Sequence, residues 1–310
     1  MNTVPDIVQA GVSGPSRTGI SGYKTRPFYW SVWRELWENR SIYIGPLIVA
    51  WVQGFGLAIS TIGLAERRRA VLLLDQAKQR AAIEPPYDIV AMMMIFTVFV
   101  VGVFYCLEAL HGERRDRSIL FWKSLPVSDL STVLSKAFIP LAILPLIAFA
   151  LVVCVQVAML LMTSVNLIFH GMSPASTWAH VPMFQNWLVL LYGLVVLALW
   201  HAPIYGWLLL VSGWARRATF LWAVLPLIAI QIFEKITFGT SYFGSFVQHR
   251  LFGFAPHAFG FHGQGHPTID SLSQLTPGRY LSSPGLWLGL VVAAAFLAAA
   301  ARLRRYRGPI

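Results

Sequence analysis

The chain has 310 residues, of which 56% are hydrophobic and only 12% charged. A soluble domain carries roughly a quarter charged residues to keep its surface wet, so an ordinary soluble fold is excluded. The formal net charge of +11 beside long apolar runs fits topogenic Lys and Arg and contact with anionic lipid headgroups, and no nucleic-acid partner is expected.

Residues 1–26 contain Asp6 and several Gly, Ser and Pro but no apolar segment, which predicts a flexible cytosolic tail rather than a signal peptide. Residues 28–39 predict an interfacial elbow helix. Tyr29, Trp30, Val32, Trp33, Leu36 and Trp37 fall on one face, while Ser31, Arg34, Glu35, Glu38 and Asn39 fall on the other. Tryptophan is most stable at the headgroup boundary, which favours a helix lying in the interface.

Four stretches lack Asp, Glu, Lys and Arg altogether: 41–65, 89–107, 137–215 and 280–301. A bilayer core of about 30 Å takes about 20 helical residues, and backbone groups in lipid must be satisfied internally. The runs are continuous rather than alternating, so helices are predicted over a barrel. The expected architecture is an all-α polytopic membrane domain over 27–310 with six spans, at 41–63, 89–110, 137–162, 186–212, 218–233 and 284–303. With both termini cytosolic, 16 of the 24 Lys and Arg lie inside and 8 outside, as the positive-inside rule asks. Arg67, Arg68 and Arg69 lie outside against that trend. Cys106 and Cys154 both fall in apolar runs, where small buried side chains are expected rather than a disulfide or a metal pair.

After the fifth span, 236–283 is rich in Phe and Gly with few charges, and predicts a re-entrant outer segment packed on protein. Tyr242, Phe243, Phe246, Phe252 and Phe254 are its candidate outer gate. His249, His257, His262 and His266 also lie there. Their spacing matches no recognised metal site, so rim histidines are expected and a metal site is the weaker alternative. Glu108 and Glu234 stand at span ends, and His201 is the one histidine at membrane depth. Each is a functional candidate there, with snorkelling, an ion pair or a helix–helix hydrogen bond as the plain alternative. The last span opens with Gly285-x-x-x-Gly289 and continues in alanines, which lets it approach a neighbouring helix closely.

No phosphate-binding loop, dinucleotide fingerprint, His-Glu-x-x-His or Gly-x-Ser-x-Gly occurs, so the chain is not expected to be an enzyme or to bind ATP through a P-loop. The most informative stretch is 108–136, EALHGERRDRSILFWKSLPVSDLSTVLSK. A charge cluster (Glu113 to Arg117) leads to an apolar patch at 119–122. Pro126 interrupts the helix, and Ser128 can cap a new one with Asp129 in its first turn. Alone, this segment reads equally as a handle for a partner or as a solvated loop.

Glu108, Glu113 and Arg114, followed by Ser124-Leu125-Pro126-Val127-Ser128 and Lys136, resemble the ABC-2 type permease family. The match is sharp over some thirty residues and departs from it at Asp116-Arg117-Ser118, where many relatives carry Gly-Thr. The resemblance implies the membrane subunit of a bacterial ABC exporter in the cytoplasmic membrane. It would be paired with a second permease subunit, identical or not, and rest on a nucleotide-binding ATPase subunit that holds the ATP and Mg. It also implies a cytosolic coupling helix carrying Glu113, Arg114, Arg117, Ile119, Trp122, Leu125, Pro126 and Ser128, and export or flipping of a lipid, peptide or amphipathic drug-like substrate. Two other readings stay open: an intramembrane metal-dependent enzyme using the outer histidines, and an ion-coupled secondary transporter. The latter usually shows internal repeats, and no convincing repeat is found.

Overall fold

The computed structural model describes residues 27–124, 127–180, 182–260, 272–308 and 310. The expected tail, Leu125, Pro126, His262 and His266 lie outside them. Six helices among the described residues are long and apolar enough to cross a membrane, and the chain is a multi-pass helical membrane protein.

Helix α1 (Pro27–Glu38) leads into the first span, α2 (Ser41–Ser60). Two short helices not foreseen from the sequence, α3 (Leu64–Leu72) and α4 (Gln76–Ile83), join it to α5 (Pro85–Ala109). Arg67 explains the turn between α2 and α3. Its Nη2 donates to the carbonyls of Ser60 and Ile62, both at 2.7 Å, satisfying orphan acceptors at a helix C-terminus. The second span continues as α6 (His111–Arg115), followed by α7 (Ser118–Ser124) and α8 (Asp129–Phe138). Ser128 caps α8 as expected, its Oγ accepting from the Ser131 amide at 3.1 Å.

Helix α8 runs through a π-turn at Ile139–Ile143 into α9 (Leu144–Phe169), giving one continuous helical run of 41 residues rather than the shorter span expected. Pro140 sits in that turn; a prolyl ring cannot donate to the ladder, and the helix widens locally to accommodate it. After α10 (Ala175–His180) come α11 (Met183–Trp214) and α12 (Thr219–Phe238). The fifth span is longer than read from the charges, because Glu234 and Lys235 stay in register within α12. Gly239, at φ 66°, reverses the chain into α13 (Tyr242–Phe252) and α14 (Ala255–Ala258). A bridge between Phe259 and Leu275 precedes α15 (Pro277–Leu281) and α16 (Pro284–Tyr306).

The core runs along α5, α9 and α11 through residues such as Met94, Tyr105, Leu144, Val152 and Leu209. Helix α16 lies closely along α11: a Cβ on Gly206 would meet the Ala293 carbonyl oxygen at 3.3 Å. The small residues expected to bring α16 near a neighbour therefore do so within this chain, with α11. By contrast α12 buries only Ala223. Cys106 is buried, but Cys154 is exposed on α9, unlike the buried side chain expected there.

Candidate functional site: a buried charge network beneath the α6–α8 hairpin

Helix α1 turns its polar face inward. Ser31, Val32 and Glu35 are buried, whereas Trp30, Trp33 and Trp37 are exposed. The inward face is what the rest of the network is built on. Glu35 is fully buried; its Oε1 accepts from Lys136 Nζ at 2.8 Å and from Arg34 Nη2 at 2.7 Å, and its Oε2 accepts from the Tyr105 hydroxyl at 2.8 Å. Burial would raise the Glu35 carboxyl, but Lys136 and Arg34 hold it below its ordinary value.

Lys136, from α8, passes the charge on. Its Nζ also lies 3.1 Å from Glu113 Oε1. Glu113 reaches Arg34 at 3.4 Å through the same oxygen and Arg304 of α16 at 3.3 Å through the other. Arg304 in turn pairs with Asp129 at the start of α8. Three carboxylates and three cations, drawn from α1, α6, α8 and α16, thus form one connected array. A buried charge is tolerated when paired and hydrogen-bonded, and each member here is.

A second knot ties the hairpin to α11. Ser212 Oγ accepts from the amides of Leu110 and His111 at 3.0 and 2.9 Å. Arg114 Nη1 donates to the Gly213 carbonyl at 2.8 Å, placing a cation at the negative end of α11. Lys123 Nζ donates to the carbonyls of Arg305, in the last turn of α16, and of Arg307 just beyond it.

These contacts locate the residues singled out from the sequence. Glu113 and Arg114 are buried and engaged within the chain rather than presented outward. Ile119 is buried, and Trp122 lies under the Arg34 guanidinium at 4.1 Å. Arg117 is exposed and adopts φ 59°, the left-handed conformation that glycine takes most easily. Leu120 and Phe121 are the exposed apolar side chains of α7. Glu108 makes an exposed pair with Arg115 at 2.9 Å. Glu234 caps α13, accepting from the amides of Tyr242 and Phe243 and from Thr240 Oγ1.

At the other end, Tyr242, Phe246 and Phe252 are exposed, and Phe254 packs on His201. Among the described residues no ring contact joins the five candidate gate rings to one another. His249 and His257 lie 6.0 Å apart against Trp200, and no three potential ligands among His, Cys, Asp and Glu come together among the described residues. His201 stands between two carbonyls, of Leu197 at 2.9 Å and Leu251 at 3.1 Å.

Sequence reasoning missed Glu35 and Arg304 as site residues. The signal was present: a carboxylate on the inward face of α1, and an arginine following a run of alanines that otherwise packs on protein. No family model, curated protein or solved structure matches this chain.

Proposed function

We propose that this chain is the membrane-spanning subunit of an ATP-driven exporter whose ATPase is a separate polypeptide. The observation that carries the reading is the hairpin of α6, α7 and α8. It is bolted by the charge network to α1 and α16 and by Ser212 and Arg114 to α11, yet it leaves Leu120 and Phe121 exposed at its tip. An exposed apolar tip on a rigid base suits a lever: force applied to α7 moves the attached helices together, because closely packed elements transmit displacement rather than absorb it. In this reading α7 is the coupling helix, docked in a cleft of the ATPase subunit, and its side of the membrane is cytosolic. Glu113 and Arg114 act there by holding the lever's base, not by touching the ATPase.

The outward tryptophans of α1 support an interfacial elbow. The reach of α13 to His201, near the middle of α11, supports a half-inserted outer segment. Exposed Tyr242, Phe246 and Phe252 would close the outer mouth against a second permease subunit. The substrate class is an amphipathic lipid, peptide or drug-like molecule.

The test is recovery of the tagged chain from its native membrane. A P-loop ATPase should co-purify, and Leu120→Asp with Phe121→Asp should release it without lowering the yield of inserted chain. Robust ATP hydrolysis by the chain alone, or recovery of ATPase unaffected by the double substitution, would overturn the proposal.

A further inference from the structure

Every cation of the α6–α8 network faces a carboxylate. Arg250, on α13, does not. Its guanidinium carbon lies 4.7 Å from the centroid of the Trp200 ring, and Nη1 donates to the Gly285 carbonyl at 3.1 Å. It is seated against α16 at Gly289, where any Cβ would collide with it. The aromatic face and the carbonyl therefore fix the plane of the guanidinium.

What remains is its side-on edge. Nε and Nη2 are shielded from solvent and have no hydrogen-bond partner among the described residues, and the same holds for Nε1 of the fully buried Trp200. The groups packed around Trp200 are His249 at 5.7 Å, His257 at 5.8 Å and Tyr280 at 6.3 Å; none is an anion. Arginine does not lose its proton under these conditions, and a buried donor without an acceptor is unfavourable.

We propose that Arg250 and Trp200 form an oxyanion site of the phosphate class, filled by a phospholipid headgroup or by free phosphate. The Nε–Nη2 edge is the fork that engages two oxygens of one anion in parallel. A phosphate group engaged on that edge retains further oxygens for other donors, which a carboxylate, with two oxygens in all, does not. The site stands whether or not an ATPase docks on α7.

The full chain, purified in detergent and stripped of lipid, is titrated with inorganic phosphate against chloride at equal ionic strength. Phosphate should raise the thermal midpoint of the wild type. Arg250→Gln should lose the shift, and Arg250→Lys, which keeps the charge without the fork, should lose most of it. Native mass spectrometry before stripping distinguishes the sources: a retained phospholipid that the Lys variant lacks identifies a headgroup, and phosphate stabilisation without retained lipid identifies the free anion. Should Arg250→Gln fail to fold, the Lys variant carries the test. An unchanged wild-type midpoint in phosphate together with no retained phospholipid, or an equal response in Arg250→Lys, sinks the proposal.

Discussion

At the α6–α8 end, Glu35, Glu113 and Asp129 meet Arg34, Lys136 and Arg304, and each charge has an opposite within 4 Å. At the other end, Arg68 on α3 and Arg250 on α13 have nitrogens sheltered from water and pair with no carboxylate among the described residues. Burial lowers both below the ordinary arginine value. The first arrangement resists separation, since pulling one member away strands the others. The second loses little when its elements move, because exposure relieves an unmet need. The α6–α8 end is therefore held together as a block, whereas the α3 and α13 end is held by fewer charge pairs.

The contrast breaks first at its centre. Glu113→Ala removes the carboxylate shared by Lys136, Arg34 and Arg304 and should cost about 3–5 kcal/mol, read as a lower unfolding midpoint of the detergent-solubilised chain. An unchanged midpoint would show that the array does not hold this end together. Acid should act on the same region. The Glu35 carboxyl is depressed in the fold from its ordinary 4.5, so its stabilisation is complete above that value and is lost as pH falls through the lower, folded one. A midpoint that drops below pH 4.5 in the wild type, and less steeply in Glu35→Gln, is the expected result.

Smaller effects sharpen the picture. Ser212→Ala leaves two buried amides without their acceptor and should cost about 1–3 kcal/mol, with hydrogen exchange at Leu110 and His111 rising first. Arg117→Gly should stabilise by up to about 1 kcal/mol, because glycine takes the left-handed conformation without a Cβ clash, offset in part by its greater freedom when unfolded. Glu108→Ala breaks only the exposed pair with Arg115 and should change stability by about 0–1 kcal/mol. A large loss there would erase the distinction between paired-and-buried and paired-and-exposed.

Charge-free runs of helical length and continuous apolarity made the six spans legible, and the Ser128 cap was readable from Ser-Asp after Pro126. Span ends were less so: charge marks where a side chain meets water, whereas Glu234 remains helical by turning its carboxylate onto the next helix. Of the α1 residues read as one apolar face, Tyr29, Trp30, Trp33 and Trp37 are exposed but Val32 is buried beside Ser31 and Glu35. The buried face overlaps both faces read from the periodicity, and twelve residues do not say where protein lies. Inside a membrane the apolar face can turn outward. The 108–136 stretch was legible as a charged, helix-breaking segment, but the burial of Glu113 and Arg114 was not, because it depends on Lys136, Arg304 and Gly213, which lie elsewhere in the sequence.

That distance has a consequence for biogenesis. Glu113 and Arg304 are separated by 191 positions, so during synthesis the array has its acids in place long before its last cation emerges. Until α16 inserts, Asp129 has no arginine, and Glu113 shares Lys136 and Arg34 with Glu35. A chain halted before α16 therefore holds three carboxylates of the array against two cations, a net negative pocket. Closure of the array is chemically a record that α16 has arrived and packed against α11.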